Sequence, residues 1–204
     1  MDATSAQYFM TTPSRSALRQ QSLVARKTIS PTAREHLSII ICQHIQALLL
    51  YQNAKTIAFY NATPHEVDLT YLQTRAEAEG KGSYWPSIQP DKTLLFLPAK
   101  KNTPFKKNKF NISEPIVSHQ KALSPEAFDL ILIPLVSFDN HGTRLGHGQG
   151  YYDRTLAKHR PRSLVGVAFE VQHHMLIPKE SWDVPLSAII TENGAHWIAG
   201  EQLQ

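Results

Sequence analysis

The chain has 204 residues, 42% hydrophobic and 19% charged, which supplies one sizeable core and excludes a disordered chain. Its net charge of +4 favours anionic partners, among which nucleotides, polyanionic metabolites and nucleic acid all qualify. The single cysteine, Cys42, excludes an intramolecular disulfide and fits a reducing compartment.

Residues 1–13 show no periodicity and no apolar run with a small-residue cleavage site, so a flexible N-terminus without a signal peptide is expected. A first helix is predicted from Ser14 to about Lys27. Ser30-Pro31 then gives an N-cap with proline at the first helical position. Behind it Leu37, Ile40, Ile41, Ile45, Leu48 and Leu49 recur at helical spacing, so a second helix packs one face on a core. Gln43, His44 and Gln46 interrupt this most apolar segment, which is too short to span a bilayer; no membrane partner and a cytoplasmic location are expected. Cys42 falls inside it and reads as a buried thiol. The glycosylation sequons at Asn61 and Asn111 are then chance matches.

The pattern next changes to short apolar runs. "TIAFY" is followed by the turn-rich "NATPHE" and a helix ending at Gly80; "YWPSI", "TLLFLPA", "FDLILIP" and "SLVGVAF" follow. Such runs alternating with helices predict an α/β fold: a single open, mostly parallel sheet flanked by helices, in a Rossmann-like three-layer arrangement. One domain is expected over 14–204. The segment "KKNTPFKKNK" (100–109), with five lysines, reads as a loop, either merely solvated or an electrostatic lure for an anion.

Between "FDLILIPLVSFD" and the helical "YYDRTLAKH" lies "GTRLGHGQG". In an open α/β sheet ligands bind beyond the carboxyl ends of strands, where glycines let backbone N–H groups approach phosphate oxygens. The sequence satisfies neither the Walker pattern, which needs Gly-Lys-Ser/Thr, nor the Rossmann fingerprint, because the third glycine comes one residue early. Arg144 and Arg154 bracket the loop as a candidate clamp on phosphoryl oxygens. Asp153 suits Mg²⁺, or alternatively complements a helix dipole. Tyr151 and Tyr152 either stack on a flat ligand or pack in the core, with one of the two expected in the core. No Ser/His/Asp or Cys/His triad stands out, and no histidine spacing, His173-His174 included, suits zinc.

"FDLILIPLVSFDNHGTRLGHGQGYYDRTL" resembles the signature of the 5-formyltetrahydrofolate cyclo-ligase family. "ALRQ", "HEVDL", "FNISEP" and "VGVAFEVQ…LIPKESWDVPLSAIIT" follow in the family's order, from about Ser14 to Glu192. The resemblance implies an enzyme that uses ATP and Mg²⁺ to close 5-formyltetrahydrofolate to 5,10-methenyltetrahydrofolate, releasing ADP and phosphate after phosphorylation of the formyl oxygen. It implies ATP contacts from Arg144, Leu145, Gly146, His147, Gly148, Gln149, Gly150, Tyr151 and Tyr152, with His147 to Tyr151 also facing the folate. Arg144 and Arg154 take catalytic roles, and Asp153 and Asp183 become magnesium ligands. In "RSALR", Arg15 replaces the family's lysine and Arg19 is retained; both are expected ATP contacts. Arg15, Arg19 and Arg26 share one helical face, which an anion would stabilise. Glu66, Asn61 and Phe110 are assigned to the folate wall, although Glu66 with Asp68 also reads as a helix-start cap. His147 departs from the residues common at its position in the family. Small-molecule substrates, no nucleic acid and a monomer are expected. The competing readings are an ATP-dependent enzyme activating another carbonyl, and a nucleic-acid-binding module.

Overall fold

The computed structural model describes residues 13–198; the N-terminal segment read as flexible lies almost wholly outside them. Helix α1 (Arg15–Lys27) starts where Ser14 Oγ accepts the Ala17 N–H, and α2 (Pro31–Ala47) where Ser30 Oγ accepts that of Ala33. Each such cap contributes about 1 kcal/mol. After the short α3 (Leu49–Gln52) come β1 (Thr56–Ala58), α4 (Thr70–Ala78), β2 (Gly82–Ile88) and β3 (Leu94–Pro98). The hairpin β4–β5 (Phe105–Lys107, Ser113–Pro115) precedes β6 (Leu130–Pro134) and a second hairpin, β7–β8 (Ser137–Phe138, Arg144–Leu145). Helix α5 (Tyr151–Leu156), β9 (Leu164–Val167), β10 (Ala188–Thr191) and β11 (Gly194–Trp197) complete the chain.

Seven strands form one sheet in the order β11-β10-β9-β6-β1-β2-β3. The five inner strands are parallel, and β3 and β11 close the two edges antiparallel. From β1 the chain builds outward through β2 and β3, then returns to the other side of β1 and builds outward again through β6, β9 and β10. The reversal lies between β1 and β6, and a crevice opens there beyond the strand ends.

Alternation along the strands splits the core into two layers. Leu130, Leu132, Val165 and Ile190 pack with Ile41, Ile45 and Leu72 of α2 and α4, whereas Ile131, Ile133, Leu164 and Ile189 pack with Leu156 of α5. The three layers are unequal, because α5 has six residues and the segment carrying Val184 and Leu186 covers the rest of that face. Helix α1 covers neither face; it packs against β7 and the 3-10 turn Glu170–Gln172, beyond the strand ends. Cys42 is fully buried, its thiol pushed up to about 12 chiefly by burial.

The lysine-rich segment departs from the expected loop. Part of it is the hairpin β4–β5, anchored to β2 through the buried Glu114, which accepts from Ser87 Oγ (2.9 Å), the Ile88 N–H (2.9 Å) and Asn108 Nδ2 (2.7 Å). The anchor lies outside the lysine run, so the run's own composition does not reveal it. Among the described residues no helix is long and apolar enough to cross a membrane.

Candidate functional site

The glycine-rich loop leaves β8 just beyond the end of β6, and Glu66 follows the end of β1, so the two meet at the reversal point of the sheet. Gly148 (φ 88°) and Gly150 (φ 69°) take left-handed conformations that side chains disfavour. Among the described residues no backbone N–H from Gly146 to Gly150 donates a hydrogen bond, so the amides remain for an anion. Six-residue α5 adds little dipole; the amides and arginines carry the attraction.

Arg144 is 7% exposed and lies under the loop. Its Nη2 donates to Asp153 Oδ1 at 2.6 Å and its Nη1 to the Val184 carbonyl. Burial pushes its guanidinium down from the ordinary value, against the pull of Asp153 and Asp183. Arg154 does not join it. Its guanidinium holds the Gln149 carbonyl, and its Nε donates to the Lys92 carbonyl at 3.1 Å, tying the loop to the β2–β3 turn. The clamp expected from two bracketing arginines is thus one buried arginine and one outward strut. Sequence spacing placed both near the loop but not on the same side of it.

The three arginines of α1 do not converge on one anion; two hydrogen-bond to separate acceptors and the third only faces a carboxylate. Arg19 Nε donates to the Gly146 carbonyl at 2.8 Å, which attaches the helix to the loop. Arg15 makes a paired contact with Asp183, Nη1 to Oδ2 at 2.6 Å and Nη2 to Oδ1 at 2.9 Å, and also donates to the Pro178 carbonyl. Arg26 faces Glu66.

These contacts separate the two expected magnesium ligands. Asp153 is part-exposed and has one oxygen on Arg144, while the other carries no hydrogen bond among the described residues. One free carboxylate oxygen beside a phosphate site fits Mg²⁺, which keeps waters and substrate phosphates in its shell. Asp183 does not fit. Both its oxygens are engaged by Arg15, and Oδ2 accepts the Glu180 N–H as well. Burial pushes its carboxyl up, but Arg15, the Glu180 N–H and Arg144 together hold it below the ordinary value. No local pattern announces a partner 168 residues away.

On the other side of the crevice Glu66 is 6% exposed. Its Oε2 accepts the Thr63 N–H at 2.8 Å; its Oε1 lies 3.4 Å from His147 Nε2 and 3.9 Å from Arg26 Nη1. Burial pushes the carboxyl up, but His147, the Thr63 N–H and Arg26 together hold it below the ordinary value. Glu66 is no helix cap, since α4 starts without a side-chain cap; Asp68 instead makes an Asx turn, accepting the Thr70 N–H at 2.8 Å and its hydroxyl at 2.6 Å.

Beside Glu66 a cavity of about 380 Å³ is lined by Asn61, Thr63, Asp68, Gln73, Lys107 and Phe110, among others. Asn61 Nδ2 donates to the Ser113 carbonyl at 2.8 Å, joining the β1 end to the hairpin. Phe110 is exposed and meets Tyr151 edge to face at 6.0 Å, so this aromatic pair links cavity and loop. Both tyrosines pack on the second core layer, and burial raises the Tyr152 phenol. Sequence reading missed Asp139, wholly buried, which accepts the N–H groups of His141, Thr143 and Ile177 and thereby shapes the β7–β8 turn. Its signal was present in "FDNHG", an aspartate two residues before a turn amide.

The model of the 5-formyltetrahydrofolate cyclo-ligase family matches residues 11–192. The 5-formyltetrahydrofolate cyclo-ligase of Haemophilus influenzae is 34% identical over 185 residues, covering 89% of this chain and 99% of that protein. The enzyme of that name from Escherichia coli is 35% identical over 142 residues, 68% of this chain and 78% of its own. The NMR structure of Aquifex aeolicus 5,10-methenyltetrahydrofolate synthetase superposes with a TM-score of 0.80 at 30% identity, covering 93% of this chain and 95% of that one. A Mycoplasma pneumoniae 5,10-methenyltetrahydrofolate synthetase superposes with a TM-score of 0.68 at 28% identity, covering 87% and 98%.

Proposed function

The chain belongs to the 5-formyltetrahydrofolate cyclo-ligase family, and we propose that it uses MgATP to close 5-formyltetrahydrofolate to 5,10-methenyltetrahydrofolate, releasing ADP and phosphate. One observation carries this reading: the free amides of the glycine loop and the buried carboxylate of Glu66 meet at the sheet's reversal point, where His147 of the loop lies 3.4 Å from Glu66. A phosphate cradle and an acceptor for a donor-rich ring therefore stand side by side.

The chemistry needs that adjacency. A formamide is a poor electrophile because its nitrogen lone pair delocalises into the carbonyl. Phosphoryl transfer from ATP to the formyl oxygen makes that oxygen a leaving group; the neighbouring exocyclic nitrogen attacks the formyl carbon and gives up its proton, and phosphate departs as the C–O bond breaks. The enzyme supplies position and charge rather than a nucleophile. Backbone amides of 146–150 hold phosphate oxygens, and Arg144 under the loop adds fixed positive charge. Glu66 accepts from pterin N–H groups, and Phe110 with Tyr151 lines one side of the ring. Asp153 would hold Mg²⁺ through its free oxygen, where the ion would neutralise charge on the phosphates. Arg15 enters the nucleotide site only by leaving Asp183, so in this chain it serves first as that carboxylate's counter-ion. All these residues come from one chain, so a monomer suffices, and a cytoplasmic small-molecule enzyme without nucleic-acid partners is consistent with them.

The test is the growth of methenyltetrahydrofolate absorbance from 5-formyltetrahydrofolate with MgATP. A folded protein that binds ATP yet forms no such product would refute the folate assignment while sparing the nucleotide half of the site.

A further inference from the structure

Arg26 is an expensive residue where it stands. It lies in the last turn of α1, is 4% exposed, and its Nε and Nη1 have no hydrogen-bond partner among the described residues. Its guanidinium faces Glu66 and the Tyr60 phenol, and the Glu66 oxygen is 3.9 Å away, beyond hydrogen-bond reach. A buried guanidinium with two of its three nitrogens unpartnered costs free energy that an apolar side chain of similar volume would not. Packing alone does not account for an arginine here.

The geometry points to Arg26 as a positioning residue for the cyclo-ligase reaction: from behind Glu66, its fixed charge keeps that carboxylate ionised and turned toward the substrate. This rests on the reading of Glu66 as the folate-facing acceptor. Five groups surround the carboxylate: Arg26 from α1, the Thr63 N–H, His147 from the glycine loop, and the phenols of Tyr60 and Tyr152. Arg26 alone among them is permanently charged, and His147 sits on the exposed side where a ligand would displace it. Once a ring fills the crevice, Arg26 is the cation left to oppose desolvation, and Coulomb attraction strengthens as water leaves. The 3.9 Å spacing suits the role. It leaves the oxygen's lone pairs to the substrate, whereas a direct salt bridge would consume them.

The experiment compares the full-length wild type with Arg26→Gln and Arg26→Lys. It reads the pH dependence of kcat/KM for 5-formyltetrahydrofolate, KM for ATP, and the titration of the Glu66 carboxyl by ¹³C NMR. Arg26→Gln is expected to move the acid limb of kcat/KM and the Glu66 titration upward by about one pH unit. It should raise KM for the folate about tenfold and leave KM for ATP within about twofold, one charge near one carboxylate acting locally. Arg26→Lys, which keeps the charge, should restore both titrations to near wild type; if the glutamine variant does not fold, this variant decides. A folded glutamine variant with an unmoved Glu66 titration would overturn the inference, as would a lysine variant whose titration shifts fully. The NMR arm stands apart from turnover: a wild type that closes no folate would refute the function, yet the Glu66 titration would still report whether Arg26 holds that carboxylate.

Discussion

The two sides of the crevice are built on different principles. The side proposed for the nucleotide is continuous in sequence: Arg144 to Asp153 spans ten residues, with its amides presented by glycines and its charge pair internal to the segment. The side proposed for the folate is assembled from four separate places, namely Arg26, Asn61 to Glu66, the β4–β5 hairpin, and His147 on loan from the loop. Phosphate recognition requires backbone geometry, which a short motif can encode. A flat heterocycle requires a wall, and walls are made by tertiary packing.

The largest effect expected is on the nucleotide side. Asp153→Asn keeps an oxygen for Arg144 but removes its charged acceptor, so Tm should fall by roughly 3–10 °C while kcat falls roughly a hundredfold or more. Unchanged turnover would reduce Asp153 to a counter-ion of Arg144. The matching change on the folate side is Glu66→Gln. Loss of charged hydrogen bonds at a buried acceptor is worth about 2 kcal/mol, or roughly thirtyfold in kcat/KM for the folate. Affinity for ATP should stay within about twofold, because the phosphate loop touches Glu66 only through the half-exposed His147, a contact worth about 0.5 kcal/mol. If both ligands weakened equally, the two sides would be one mechanical unit and the contrast drawn above would fail.

The same contrast explains what could be read before the fold was known. Ser14, Ser30-Pro31 and the apolar runs carry their own local signals, and α1, α2 and the buried strands lie where those signals put them. The glycine loop was legible for the same reason. Contacts between distant segments were not. Arg15 with Asp183 and Arg26 with Glu66 are pairs that no periodicity announces, and the direction taken by Arg154 depends on where the Lys92 carbonyl lies. The hairpin in the lysine-rich stretch follows from a carboxylate, Glu114, beyond the run itself.

A smaller effect, on stability rather than turnover, concerns the strap that ties α1 to the far segment. Asp183→Asn leaves Arg15 part-buried without its charged acceptor and should cost about 1–3 kcal/mol, lowering Tm by roughly 3–10 °C. The sign with pH follows from the carboxyl being held below its ordinary value. The pair's stabilisation is present in full above the unfolded aspartate value, near 3.9, and is lost as pH falls through the lower folded value. Melting curves of wild type and variant should therefore run parallel above about pH 5 and converge only in strong acid. Convergence near neutrality would mean that another group titrates there.

The smallest effect is the most informative about how the sides communicate, because one side chain belongs to both. His147 sits in the phosphate loop, yet its imidazole lies 3.4 Å from Glu66 and is half exposed. An exposed contact of this kind is worth about 0.5 kcal/mol, so His147→Ala should change folate affinity only about twofold. The direction separates two roles. If the imidazole merely holds the place of a substrate donor until folate binds, the alanine variant binds folate more tightly and ATP unchanged. If it stays on Glu66 while folate binds, the variant binds folate more weakly. Calorimetric titration of wild type and variant with each ligand in turn distinguishes the two.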